Sequence, residues 1–171
     1  MKSLFLDRIH SPIGDLLLVS DQAIVYALDF EDFQPRMMHL LEKRFPSLQL
    51  TQTNPTGELR DRLLAYLEGD LSGFNDVAVH PGGTPFQQQV WQALRSIPVG
   101  TAWTYKQLAE HIGHPQACRA VGMANSQNPI AIIVPCHRVI GSQKRLTGYA
   151  GGLDRKQWLL HHEGVLLSQA S

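Results

Sequence analysis

The sequence predicts an α+β protein: a small N-terminal α/β domain built on an antiparallel sheet, then a mainly helical C-terminal domain that contains a helix-turn-helix. Three observations lead there. Residues 1–30 consist of short apolar runs separated by turn residues, which is the pattern of strands rather than helices. From Phe33 onwards apolar side chains return at helical spacing instead. Charge is also unevenly divided: residues 1–83 hold seven Lys or Arg against twelve Asp or Glu, net −5, whereas residues 84–171 hold eight against three, net +5. A basic half suits a polyanionic partner, although a solvated face explains the same asymmetry.

In order, Leu4 to Ile9, Leu16 to Val19 and Ile24 to Phe30 read as strands of an antiparallel meander, joined by a Ser11-Pro12-Ile13-Gly14 turn and an Asp21-Gln22 turn. Phe33 to Phe45 sets Met37, Leu40, Leu41 and Phe45 on one helical face, and Pro46 stops it. Leu48 to Gln52 is a further candidate strand. Glu58 to Gly69 repeats Leu59, Leu63, Leu64 and Leu67 on one side and ends on glycine. Asp70 to Gly83 mixes Asp, Gly, Ser, Asn and Pro without helical period, so it is expected to link a scaffold domain, residues 1–83, to a second domain, residues 84–171. Nothing in the first half resembles a site.

Thr84, Pro85 and Gln87 form a capping box with proline at the first helical position, and Phe86, Val90, Leu94 and Ile97 give that helix its apolar face until Pro98-Val99-Gly100 ends it. Thr104 caps a short helix from Tyr105 to Ile112. Gly113, His114 and Pro115 make the turn into a second short helix, about Gln116 to Ser126, which completes the helix-turn-helix. That second helix offers small residues around a single arginine, Arg119. A major-groove reader needs several long polar side chains. Ala120 and Gly122 instead let backbone lie close to a sugar-phosphate wall, which favours sequence-tolerant contact with the minor groove; packing against another helix is the alternative. Beyond Gly141, glycines surround Tyr149 in a segment suited to passing close to a ligand, and a last helix from Leu153 to His162 should carry Trp158 and Leu159 inward. Glu163 at its C-terminus opposes the helix dipole, so a specific partner is expected, with histidine the natural one.

The stretch around which the chain is organised runs from Ile130 to Gly141. An apolar, β-branched run leads through Pro135 to Cys136, His137 and Arg138, then to Val139, Ile140 and Gly141. A lone cysteine is most often a small buried hydrophobe. Three consecutive polar side chains at the edge of a core nevertheless need a reason. A thiolate activated by an imidazole supplies one. On extended backbone neighbouring side chains point to opposite sides, so a water between Cys136 and His137 is expected.

Composition narrows the classes further. At 43% hydrophobic and 18% charged residues the chain can bury a core and is not a disordered segment. No run approaches the roughly eighteen apolar residues of a membrane span, and the charged N-terminus lacks a signal-peptide core; a cytoplasmic protein without membrane contact is expected. Two cysteines, Cys118 and Cys136, without a Cys-x-x-Cys pair, point to reduced thiols and give no basis for a metal site.

Arg119-Ala120-Val121-Gly122, Pro135-Cys136-His137-Arg138-Val139-Ile140-Gly141, Tyr149-Ala150-Gly151-Gly152 and His162-Glu163-Gly164 fall in that order. They resemble the motifs of the O6-alkylguanine-DNA alkyltransferases, the methylated-DNA-protein-cysteine methyltransferases of direct DNA repair. The resemblance spans Thr84 to Leu166; residues 1–83 share only the layout of that family's variable N-terminal domain. It implies a monomer that binds double-stranded DNA through the minor groove and transfers the alkyl group of O6-alkylguanine, or O4-alkylthymine, once and irreversibly to Cys136. No cofactor is implied, because the lesion is itself the alkyl donor. The damaged base is rotated out of the duplex into a pocket.

By the same resemblance, Arg119 fills the gap left in the stack, with Ala120, Gly122 and Ser142 as further DNA contacts. Tyr105 crowds the target phosphate, hydrogen-bonds the flipped base and donates a proton as guanine leaves. Asn128 ties the recognition helix to the active-site loop, and the carbonyls of Cys136 and Val139 with the amide of Ala150 read the base in a pocket that includes Tyr149. Cys136 attacks in line, aided through water by His137, which Glu163 orients and holds as imidazolium. The chain departs from the family at Cys118, often alanine in relatives and here a second thiol open to alkylation or oxidation. It departs also at Ala131 and Ala150, where some relatives carry proline and serine; a roomier pocket that accepts larger alkyl groups is the expectation. The zinc ligands of some relatives' N-terminal domains have no counterpart. Two other readings stand beside this one. An alkylated-DNA binding protein without transfer is opposed by the retention of Cys136, His137 and Glu163. A cysteine hydrolase would need an oxyanion hole and would leave the helix-turn-helix unexplained.

Overall fold

A computed structural model describes residues 1–21, 23–52 and 57–167. Gln22, half of the expected Asp21-Gln22 turn, lies outside the described residues. Two compact units are present: residues 1–82 with 129–133, and residues 83–128 with 134 onwards.

In the first unit β1 (Lys2–Ile9), β2 (Leu16–Ser20) and β3 (Ile24–Phe30) form the expected meander, with Ile9 opposite Leu16 and Leu17 opposite Asp29. After α1 (Gln34–Arg44), which has Pro35 in its first turn, β4 (Leu48–Gln52) joins the sheet parallel to β1. Met37 and Leu41 of α1 pack with Leu4, Leu17, Val19, Tyr26 and Ala27 in one core. Asp29, buried in β3, accepts from Arg36 Nη2 at 2.7 Å and so fastens α1 to the sheet.

α2 (Glu58–Leu67) is followed by β5 (Ala78–Val79), which pairs parallel to β3 and gives the order β4-β1-β2-β3-β5. The three central strands are antiparallel and the two outer pairings parallel. The stretch expected to be linker from Asp70 is therefore partly sheet, anchored by the buried Phe74 and Val77. A two-residue strand is too short to leave a period in the sequence.

Residues 129–133 also belong to this unit. Leu28 N–H donates to Pro129 O at 3.1 Å and Ala131 N–H to Leu28 O at 2.9 Å, so Ile130 makes one parallel bridge to β3. The backbone then turns sharply. Ile133 N–H donates to Ala131 O at 2.7 Å across Ile132, whose φ is +69°. A β-branched residue rarely adopts that conformation. Ile132 is fully buried, and its surroundings hold it there. The run is buried as its composition suggests, and its backbone turns at Ile132.

In the second unit Thr84 and Gln87 cap α3 (Pro85–Leu94) with both reciprocal bonds, and Thr104 and Gln107 do the same for α4 (Tyr105–His111). α5 (Cys118–Ser126) begins two residues later than its composition suggests, because residues 114–117 form a turn first, with Ala117 N–H on His114 O at 2.9 Å. Trp91 Nε1 donates to Ala124 O at 2.8 Å, which fixes α3 to α5, while Leu108 and Ala109 of α4 and Val121 of α5 fill the space inside the helix-turn-helix. β6 (Trp103–Thr104) pairs parallel with β7 (Val139–Ile140). α6 (Leu153–His162) buries Leu159 and Leu160. Trp158, expected inward, is only half-buried and stacks on His162 at 4.5 Å; Lys156 is buried in its place.

Candidate active site and nucleic-acid interface

Proline and hydrogen bonding shape the backbone at Cys136. Pro135 sits at φ −83° and ψ 66°, and Cys136 N–H donates to Val134 O at 2.8 Å, which closes an inverse γ-turn. Cys136–Arg138 is then a single 3₁₀ turn, with Arg138 N–H on Pro135 O at 3.0 Å. The extended backbone assumed from sequence is absent. A 3₁₀ turn rotates successive side chains by about 120°, so it too turns neighbouring side chains away from one another. β7 follows at once, and its pairing with β6 brings the start of α4, and Tyr105, to the same end of the unit.

Behind the turn lies a buried ionic group. His137 is 0% exposed and its Nε2 lies 2.9 Å from Glu163 Oε2; Arg138 donates Nε to Glu163 Oε1 at 2.8 Å, Nη2 to Oε2 at 3.1 Å and Nη1 to Ile97 O at 2.7 Å. His137 and Arg138 hold the Glu163 carboxyl far below the usual carboxylate range despite its burial. A carboxylate only accepts, so the His137 proton sits on Nε2 and Nδ1 presents its lone pair. That Nδ1 is buried without a protein hydrogen-bond partner. Burial pushes the His137 pKa down, and although Glu163 pulls it up, Arg138 and Lys156 oppose that pull. On balance the His137 pKa lies below that of a free imidazole, burial being the largest cause. A neutral ring with Nδ1 available is a base.

Two asparagines from the helix-turn-helix hold the turn. Asn128, singled out from sequence, donates Nδ2 to Val134 O at 2.8 Å; Asn125, one turn earlier and missed, donates Nδ2 to Cys136 O at 3.3 Å. Val139 N–H also donates to Cys136 O. Both lone pairs of that carbonyl are thus engaged, which leaves it poorly suited to read a base. Tyr105 is half-buried: its hydroxyl reaches Thr147 O at 3.5 Å, and a Cβ on Gly122 would sit 3.7 Å from its ring. Burial raises the Tyr105 pKa, so the hydroxyl keeps its proton at neutral pH. Cys136 itself is 6% exposed.

On α5 the exposed residues are Arg119, Ala120, Met123 and Ser126, one face of the helix, with Val121, Ala124 and Asn125 on the other; Gly122 is half-buried toward Tyr105. Ser142 is exposed in a 3₁₀ turn, Ser142–Lys144, closed by Gly141 N–H on Arg145 O at 2.8 Å. Val139 is buried, while Tyr149 and Ala150 are half-buried in the segment before α6. Cys118 is half-buried at the first position of α5, its Sγ 3.9 Å from Pro115 O. Among the described residues no cluster of His, Cys, Asp or Glu could hold a metal ion. No helix of the described residues is long and apolar enough to cross a membrane.

Sequence reasoning overlooked Asn125 and Lys156 and gave Arg138 no role. The spacing Lys156, Leu159, Leu160, Glu163 was readable as one helix face. A lysine on it would normally be assigned to solvent.

The chain is similar to known proteins over nearly its whole length. The family model described as "6-O-methylguanine DNA methyltransferase, DNA binding domain" matches residues 85–165. Methylated-DNA–protein-cysteine methyltransferases of Salmonella typhimurium and Shigella flexneri are 47% and 46% identical, with 98% of this chain and 99% of each relative covered. A Mycobacterium tuberculosis O6-methylguanine methyltransferase structure matches with TM-score 0.78 and 43% identity over 94% of this chain and 92% of that one. The OGT of that organism in complex with DNA matches with TM-score 0.78 and 42% identity over 93% and 92%. On near full-length identity of this size, the chain belongs to the methylated-DNA–protein-cysteine methyltransferase family.

Proposed function

We propose that this chain reverses alkylation damage in DNA directly, moving the alkyl group of O6-alkylguanine, and of O4-alkylthymine, to the sulfur of Cys136 in one irreversible turnover. The observation that carries the reading is the fixed tautomer of His137: Nε2 is committed to Glu163 at 2.9 Å, and Nδ1 is left to accept a proton on the residue next to the thiol. A water between Cys136 and Nδ1 relays that proton. The sulfur lone pair attacks the alkyl carbon in line, the carbon–oxygen bond breaks, and its electron pair leaves on the base, which takes a proton from the Tyr105 hydroxyl. The product is a thioether. It has no hydrolytic exit of the kind an acyl-enzyme has, so each molecule acts once, and no cofactor enters because the lesion supplies the carbon.

Recognition follows from α5. Its exposed Arg119 fills the stack vacated by the flipped base, and Ala120 and Gly122 allow the helix to approach the minor groove closely. Ser142 contacts the backbone nearby. The Val139 carbonyl and Ala150 amide read the base beside Tyr149, while Asn128 and Asn125 keep the Cys136 turn registered to α5. Residues 84–171 thus carry binding and transfer, residues 1–83 serve as scaffold, and the chain works as a monomer in the cytoplasm. Support for the substrate class comes from the relatives' names and from the DNA complex of the M. tuberculosis protein.

The test is intact mass before and after incubation with a duplex bearing O6-methylguanine. One methyl group gained, lost in Cys136→Ala and mapped to the Cys136 peptide, is the expected result. Unchanged mass with retained affinity for the lesion would leave a binding protein, and repeated turnover without mass gain would leave a hydrolase.

A further inference from the structure

Met123 is 61% exposed, although it lies in the middle of α5, a helix that packs against α3 and α4. The other large apolar side chains open to solvent among the described residues are Met1, Leu153 and Leu166, the first and last of them near the ends of the described chain. A single exposed apolar side chain is ordinary. The surroundings of this one are less so. Met123 follows Arg119 by four residues, so the two are neighbours on the exposed face of α5, and the tilt of helical side chains toward the N-terminus carries the thioether toward Ala120 and Arg119.

The other polar side chains of this face are already engaged. Ser126 Oγ donates its proton to Met123 O at 2.8 Å, and Gln127 Oε1 accepts from Gln87 Nε2 at 2.7 Å. α5 contains neither Asp nor Glu. The face therefore offers one guanidinium and one thioether. The family model that matches residues 85–165 describes a DNA-binding domain, and residues 84–171 carry net +5, so the occupant that fits this face is a duplex. The minor groove of B-form DNA is about 6 Å wide and a helix with its side chains about 10 Å across, so α5 approaches closely only where the groove is opened. Opening bares deoxyribose carbons and base edges, and proteins that open this groove cover them with apolar side chains, methionine among them. An unbranched, polarisable thioether adapts to such a wall without reading sequence.

We infer that Met123 is a second DNA contact of α5, one turn beyond Arg119, whose side chain packs against the sugar walls of the opened minor groove and supplies a share of the affinity that salt does not screen. The inference rests on the proposed approach of α5 to the minor groove and is independent of the fate of the alkyl group. Arg119 binds through its charge, and that contribution falls as salt rises because it comes from released counterions. Burial of Met123 releases water instead. The affinity that remains at high salt therefore depends on residue 123.

The experiment uses the full chain with Met123→Ala, Met123→Leu and Met123→Lys, titrated against a fluorescein-labelled undamaged duplex at several salt concentrations, with Tm measured in parallel. Met123→Ala should weaken binding about fivefold at every salt concentration, the effect of leaving part of a methionine side chain unburied. The slope of log K against log salt should stay as in the wild type. Met123→Leu, which conserves volume, should bind as the wild type does. Met123→Lys brings a cation to the phosphates and should steepen the slope by about one. None of the three should lower Tm, because the side chain is exposed. A second measurement needs no variant. Hydrogen peroxide converts an exposed methionine to its sulfoxide, and saturating duplex should slow that oxidation several-fold at Met123 relative to Met1; fragment masses locate the oxygen, so that Cys118 does not contribute. Equal affinity of Met123→Ala and wild type, an unmoved slope in Met123→Lys, or oxidation of Met123 that duplex leaves unchanged overturns the inference, as does an affinity loss that only follows a fallen Tm. If these results hold but wild-type protein gains no methyl group from an O6-methylguanine duplex, the proposed transfer fails while the contact made by Met123 stands.

Discussion

Replacing Glu163 by Gln keeps the shape of the side chain and removes its charge. In the wild-type protein that carboxylate accepts from Arg138 at 2.8 and 3.1 Å and from His137 at 2.9 Å, all three side chains being buried. The amide oxygen of Glu163→Gln can accept at most two of these bonds, and its NH2 end must then face a guanidinium or an imidazole N–H. Arg138 is then a buried cation without a counterion. Removing one member of a buried ion pair costs about 3–5 kcal/mol, and the remaining Ile97 carbonyl contact of Arg138, at 2.7 Å, offsets little of that because it exists in both proteins. A loss of about 3–4 kcal/mol is expected, a large share of the roughly 5–15 kcal/mol that holds a typical domain together. The measurement is urea unfolding at pH 7 with the m-value checked for constancy. Adding Arg138→Met to the Gln variant removes the orphaned cation and should restore at least about 1 kcal/mol, an interaction that a double-mutant cycle isolates. A single-variant loss below about 1 kcal/mol, or a double variant no more stable than Glu163→Gln, would refute the account of this cluster.

Stability of the wild-type protein should fall on acidification in two stages. The folded His137 pKa lies below 6.5, so beneath pH 6.5 the unfolded chain binds a proton that the folded one refuses; the Glu163 pKa lies below 4.5, so its contribution is complete above pH 4.5 and is lost beneath it. Urea midpoints between pH 7.5 and pH 4 read this directly, and a flat profile would contradict it. Asn128→Ala should cost about 1–3 kcal/mol by leaving the buried Val134 carbonyl unpaired, seen in the same unfolding assay. Arg119→Ala should leave stability within about 0.5 kcal/mol, because the side chain is exposed, while weakening DNA binding across sequences in a fluorescence titration. Arg138→Met should raise the His137 pKa, since Arg138 opposes protonation there, and nitrogen chemical shifts of the ring against pH would register the change.

Where a local rule acts alone, the sequence is a sound guide. The capping boxes at Thr84 and Thr104 set two helix starts to the residue, because the N-cap and the third position that make them are written side by side in the chain. The Ser11-Pro12-Ile13-Gly14 turn likewise separates two strands near their expected ends. Failures appear where tertiary contact decides. Ala78–Val79 is a strand only because β3 offers it an edge, and Ile132 takes a left-handed conformation that no β-branched residue advertises. Pairing of the outer strands in parallel depends on how the chain crosses the sheet, through α1 to β4 and back through α2 to β5, which no window of a few residues contains. In the site, Cys136, His137 and Glu163 were legible as chemistry, with the dipole argument at Glu163 pointing to histidine. Arg138 was given no role because nothing in the order Cys136-His137-Arg138 shows that its guanidinium turns back to bind the Glu163 carboxylate.

The presence of Arg138 answers a problem that Glu163 and His137 create between them. A carboxylate is needed on Nε2 to fix the ring tautomer, yet its full charge would raise the ring toward imidazolium, and an imidazolium cannot accept the proton of a thiol. Sharing Glu163 with a second cation keeps the orientation and removes part of the charge: Oε2 still lies 2.9 Å from Nε2 while also accepting from Arg138 at 3.1 Å, and Oε1 is given to Arg138 altogether. Burial then lowers the ring further. An apolar filling of the same volume would be as stable or more so. Stability alone therefore does not explain three buried ionisable side chains at this turn. A neutral ring held in one tautomer beside Cys136 does, because in the proposed transfer that ring is the base that receives the thiol proton.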